Sequence, residues 1–139
     1  MSAANVPVER LRLIERAIDL VPYAKLLGIK LDHVKPGEAT LRLPVRHELT
    51  QNHGVVHGGA IASIIDSATA FAVLTLIEPT ERVTTVDLTI SYLRPATEGD
   101  LIATAKVMRQ GRRLFSVTAD AIDQKDRLLA TALTTYIKL

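Results

Sequence analysis

The chain has 139 residues and no Cys, enough for one real core but offering no disulfide framework, thiolate nucleophile or Cys-based metal site. A hydrophobic fraction of 47% excludes a disordered chain, and no apolar run reaches membrane-spanning length without polar interruption. A formal net charge of +2, with no dense Lys/Arg run and no Trp, hints at small anionic ligands and argues against nucleic acid; the first ten residues lack a secretion signal, so a cytoplasmic location is the default expectation.

In chain order, residues 1–7 are expected to form a loose terminus. From Val8 to Val21, Leu11, Ile14, Ala17, Ile18 and Val21 trace one helical face, with charged residues on the rest. Pro22 restarts the chain, and Tyr23 to Leu27 suit one further short turn before Gly28. This element is expected to cover a sheet edge or a pocket. Ile29–Val34 and Ala39–Val45 read as strands joined by the Lys35-Pro36-Gly37-Glu38 turn.

Next comes a polar, glycine-punctuated stretch, Gln51-Asn52-His53-Gly54-Val55-Val56-His57-Gly58-Gly59, which feeds a run free of Pro and Gly from Ala60 to Ile77. Ile61, Ile64, Ile65, Ala68, Phe71 and Ala72 recur at helical spacing, and at about 1.5 Å per residue the run makes a helix of about 27 Å. Asp66 lies about two turns inside it among Ala62, Ser63, Thr69 and Ala70, with no Lys or Arg on that face. Such a carboxylate belongs at a cleft or at an interface with a second copy, since buried Asp is uncommon without a partner. The free N–H groups at the helix start favour an electron-rich oxygen, and Gly58 and Gly59 permit close approach to them. An amide donor and a carboxylate are parts suited to acyl transfer or hydrolysis.

Four strand candidates follow: Arg82–Leu93, Leu101–Gln110, Arg112–Ile122 and Leu128–Ile137. In the first, Val86, Leu88, Ile90 and Tyr92 alternate against Asp87, Thr89 and Ser91. Their short connections predict that consecutive strands are antiparallel neighbours. The fold class is therefore α+β: a long central helix on an antiparallel sheet of about five to six strands, with an N-terminal helix, in a single domain spanning 1–139. The uncovered sheet face and the small side chains around Asp66 imply at least a homodimer.

Three segments carry a resemblance to a known family: Asn52–Gly59 with Asp66; Thr84-Thr85-Val86-Asp87-Leu88-Thr89-Ile90-Ser91-Tyr92-Leu93-Arg94-Pro95-Ala96; and Val107 to Arg113. Together they resemble the hotdog-fold thioesterases, in particular the PaaI-like branch named for phenylacetic acid degradation. The resemblance implies a sheet wrapped around the central helix, a dimer with continuous sheets, often paired again into a tetramer, and active sites between two protomers. It also implies acyl-CoA thioesters as substrates, with no metal or redox cofactor. Carried onto this sequence, it makes Asp66 the general base or nucleophile and the Gly58 N–H the group that polarises the thioester carbonyl.

Family members carry Asn or Gln six residues before the His; here that is Gln51, while Asn52, five before His57, would serve in a tighter loop. Thr85 is the match for a hydroxyl that positions water, with Thr84 second. His57 either orders the turn or helps orient substrate or water. Arg94, Arg109, Arg112 and Arg113 are candidates for the anionic end of CoA, with Gly59 beside them at the helix start. The acyl group is expected along Phe71 and Leu74, with Tyr23 or Leu27. A non-catalytic acyl-CoA-binding protein with the same fold is the alternative reading.

Overall fold

The computed structural model describes residues 6–139, so most of the expected loose terminus lies outside the described residues. Helix α1 spans Val8–Ala17 and ends in a single tight turn, Ile18–Leu20, rather than running on to Val21. Pro22 opens α2, Pro22–Leu27, at the position where its missing N–H is harmless. Gly28 ends α2 in the left-handed region at φ 86°, and the Arg46 guanidinium donates to the carbonyls of Leu26 and Leu27, which the helix leaves unpaired. Arg10 does the same for the far end of the central helix, donating to the Leu74 and Ile77 carbonyls. The N-terminal segment is thus fastened by its own Arg10 and by Arg46 from beyond β2, while Ile14, Ile18 and Ala24 join the core.

Six strands form one antiparallel sheet: β1 Lys30–Lys35, β2 Glu38–Pro44, β3 Val83–Tyr92, β4 Asp100–Gln110, β5 Leu114–Ile122 and β6 Leu128–Lys138. Their order is β1-β2-β4-β5-β6-β3, which corrects the expectation that consecutive strands are neighbours. Helix α3, Gly58–Leu74, carries the chain from β2 to the far edge, so β3 pairs with β6 and β4 returns to pair with β2. The hairpins β1–β2, β4–β5 and β5–β6 follow the short-connection rule.

The sheet curls around α3 because its centre is built of small residues. Ala39, Ala105, Ala119 and Ala132 are in register across β2, β4, β5 and β6, all buried. They let the helix lie close, and Ile61, Ile64, Ile65, Ala68, Phe71 and Ala72 fill the space with their expected periodicity. This arrangement is the hotdog fold.

One core side chain is mismatched. Thr134 on β6 is fully buried and its hydroxyl has no hydrogen-bond partner among the described residues. A buried hydroxyl without a partner is destabilising, and Val has nearly the same shape. Thr134→Val is expected to raise stability by about 1 kcal/mol, measured as a higher midpoint in urea unfolding with an unchanged slope.

Candidate active site

The segment before α3 is irregular but firmly tied. Gln51 N–H donates to the Val55 carbonyl, Val56 N–H to Ala96 and His57 N–H to Leu49, each at 2.8 Å. His53 and Gly54 both take positive φ, 74° and 75°, reversing the chain so that His57 reaches the helix start. There His57 acts as the N-cap: its Nδ1 accepts from the Gly59 N–H at 2.7 Å. A neutral ring accepting at Nδ1 carries its hydrogen on Nε2. A Cβ on Gly59 would lie 2.9 Å from that Nδ1, so the cap needs glycine there.

The cap uses the Gly59 N–H and leaves the Gly58 N–H without a partner among the described residues. Gly58 lines a cleft of about 360 Å³ together with Gln51, Val55, Ile61, Tyr92 and Arg94, among others. Tyr92 reaches over from the end of β3; its hydroxyl donates to the Gly58 carbonyl at 2.8 Å, and its ring lies where a Gly58 Cβ would come within 3.3 Å. An unpaired N–H at a helix start beside an open cleft is a preorganised site for a polarised carbonyl oxygen.

Asp66 lies eight residues along the same helix, about 12 Å from Gly58 at the helical rise. It is half-buried and makes no ion pair among the described residues. Its Oδ1 accepts from Thr85 Oγ1 at 2.9 Å and from the Tyr136 hydroxyl at 3.0 Å, while no hydrogen bond from the described residues reaches Oδ2. Thr85 faces the helix because of an irregularity in β3. Thr85 pairs with Tyr136 but Asp87 pairs with Thr135, so Val86 is an extra residue, a β-bulge. Uniform alternation would bury Val86 and turn Thr85 outward; instead Val86 is 54% exposed and Thr85 occupies the inner face.

The sequence also matches the model of the family described as thioesterase superfamily over residues 53–130, a stretch that includes His57, Gly58 and Asp66. The chain belongs to that superfamily. This thioesterase is 33% identical over 100 residues to human acyl-coenzyme A thioesterase 13, covering 70% of this chain and 71% of the relative. Among solved structures it is similar to a thioesterase family protein from Silicibacter pomeroyi, with TM-score 0.88 and 30% identity over 94% of this chain and 98% of that one. It is also similar to the E. coli PaaI protein from the phenylacetic acid degradation operon, with TM-score 0.87 and 25% identity over 94% of each chain. The protein is a thioester hydrolase with a hotdog fold.

Within the thioesterase, the residues singled out from sequence fall into three groups. Gln51, Gly58 and Arg94 line one cleft, with His57 and Gly59 forming the cap beside it. Asn52 stands exposed in the turn before the cap and is not among the cleft-lining residues. Asp66 and Thr85 meet under the β3 edge. Arg109, Arg112 and Arg113 gather around a separate groove of about 560 Å³ with Ser116 and Thr135, and none of the three is ion-paired among the described residues. No three His, Asp or Glu side chains cluster at metal-binding distance among the described residues.

The expected acyl surface is partly corrected. Phe71 is sealed in the core, 5% exposed, and Leu74 lines a groove under α1 instead of the cleft. Both follow from α3 turning that side toward the sheet and α1. Tyr23 is half-exposed and bonds Ser63 Oγ at 2.8 Å, one turn before Asp66. Two residues near the site escaped the sequence reading: Tyr92 on Gly58 and Tyr136 on Asp66.

Proposed function

We propose that this protein hydrolyses acyl-CoA thioesters of aromatic or medium-chain acids, with each active site shared between two protomers. The observation that carries this reading is the pairing on one helix of an unpartnered Gly58 N–H at an open cleft with an Asp66 carboxylate whose Oδ2 is unengaged. About 12 Å apart in one chain, they are too distant to act on one carbonyl. A homodimer that brings the Asp66 of one copy to the Gly58 of the other, and doubles again to a tetramer, resolves that separation.

In this reading the thioester oxygen accepts from Gly58 N–H, and Gln51 holds the attacking water. Asp66 takes a proton as the water oxygen bonds to the carbonyl carbon, or attacks it directly to give an anhydride that water then opens. The carbon–sulfur bond breaks, CoA leaves as a thiolate, and the proton returns to it through solvent. Thr85 fixes the carboxylate, and His57 holds the turn that presents Gly58. Arg94 at the cleft and the Arg109, Arg112 and Arg113 groove supply donors for phosphates. Similarity to human acyl-coenzyme A thioesterase 13 supports the CoA ester, and similarity to PaaI supports an aromatic acyl group.

The test is CoA release from a panel running from phenylacetyl- and benzoyl-CoA through butyryl- to palmitoyl-CoA. Higher kcat/KM is expected for the aryl and medium-chain esters than for palmitoyl-CoA. Absence of CoA release from every member would overturn the reading.

A further inference from the structure

We infer that Tyr136 is a positioning residue for Asp66: its hydroxyl, together with Thr85, holds Oδ1 and so selects Oδ2 as the oxygen that reacts. This rests on the catalytic reading of Asp66 above. Tyr136 lies on the inner face of β6 and is 2% exposed, the largest of the fully buried side chains. Its oxygen is 3.0 Å from Asp66 Oδ1, 2.8 Å from the Asp66 carbonyl and 2.8 Å from Thr69 Oγ1.

Thr69 Oγ1 is 3.0 Å from the Asp66 carbonyl and 2.8 Å from the Tyr136 oxygen, so it donates to one or the other. In both cases Tyr136 is free to donate to Asp66 Oδ1, the oxygen to which Thr85 also donates. The carboxylate is the only charged acceptor there, so it draws the phenolic hydrogen in preference to a helix carbonyl that already serves its own ladder. Burial first, and then the charge of Asp66, hold the Tyr136 hydroxyl above the usual phenol range, so it remains a donor throughout the working pH range.

Within one protomer, little else near Asp66 titrates among the described residues. On α3 the neighbours of Asp66 are Ala62, Ser63, Thr69 and Ala70, and Tyr23 of α2 is engaged with Ser63. From β3 the one charged group nearby is Asp87, beyond the bulge and exposed. From β6, Lys138 is ion-paired with Glu81 at 2.8 Å. From β5, Phe115 pairs with Tyr136 in register and carries no charge. Two donors on one oxygen fix the rotamer of the carboxylate; a packing role alone would not.

Tyr136→Phe keeps the ring and removes the donor. With an acyl-CoA that the wild-type enzyme turns over, it is expected to lower kcat about tenfold with KM within about twofold. The acid limb of kcat/KM is expected to move to higher pH, because the reacting carboxylate has lost one of its two donors. Site-specific 3-fluorotyrosine at position 136, a stronger donor of nearly the same shape, should move that limb the opposite way, and serves even where the Phe variant does not fold. An unmoved limb in both variants overturns the inference, whether or not the rate falls. With Asp66→Asn assayed alongside, an inactive Asn variant and unmoved limbs reject Tyr136 alone. A fully active Asn variant rejects the Asp66 reading and this inference with it.

Discussion

Asp66→Asn is expected to lower kcat for acyl-CoA hydrolysis by about 10²–10⁴-fold, the usual contribution of a positioned base. The substitution preserves shape and keeps an oxygen to accept from Thr85 and Tyr136, so the fold should be undisturbed. What it removes is negative charge and basicity at the oxygen without a hydrogen bond. Binding of CoA, measured by calorimetry, should stay within about threefold of wild type, since the arginines proposed to hold its phosphates are distant in sequence and belong to other elements. Activity within a few fold of wild type would remove Asp66 from the mechanism. Loss of both activity and CoA binding would point to a damaged fold instead of missing chemistry.

The second large effect is expected at Gly58. This is the first residue of α3, where Pro is well tolerated, and His57 before it has φ −63° and ψ 135°, a conformation that suits a residue preceding Pro. Gly58→Pro therefore deletes one N–H while leaving the helix in place. If that N–H polarises the thioester, kcat should fall by about 10²–10³-fold. Gly58→Ala is the control: it places the same Cβ against the Tyr92 ring, 3.3 Å away, and keeps the N–H. The Ala variant should retain most activity; equal losses in the two would assign the effect to crowding by Tyr92. Shared sites add a sharper version. Coexpressing Gly58→Pro with Asp66→Asn chains should restore about a quarter of wild-type activity, since random pairing leaves one intact site in half the dimers. No recovery would place both groups in one protomer's site.

Much of this was legible in the sequence, and what was not has identifiable causes. The apolar period of α3 placed its body correctly, but the run from Ala60 to Ile77 left out the first residues at Gly58 and Gly59 and overran the end at Leu74, since two glycines are poor helix formers and His is an unusual cap. Which of Gln51 and Asn52 lines the cleft depends on a reversal at His53 and Gly54, and left-handed backbone at a His has no dependable sequence mark. Alternation in β3 misplaced Val86 because the bulge is set by pairing with β6, a contact made far along the chain. The same distance concealed Tyr136, which is 70 residues from Asp66. Its one local signal was a Tyr in register with inward-facing β6 residues, since a buried phenol must find a polar partner.

The extra residue at Val86 separates two duties within one strand. From Leu88 onward, β3 follows the phase that its apolar side chains require for packing against α3. Before it, the same strand runs half a period out of step and presents a hydroxyl inward in place of a hydrocarbon. A lineage can therefore exchange the residue beside the acid without retuning the hydrophobic half, and can refit that half without displacing the acid's neighbour.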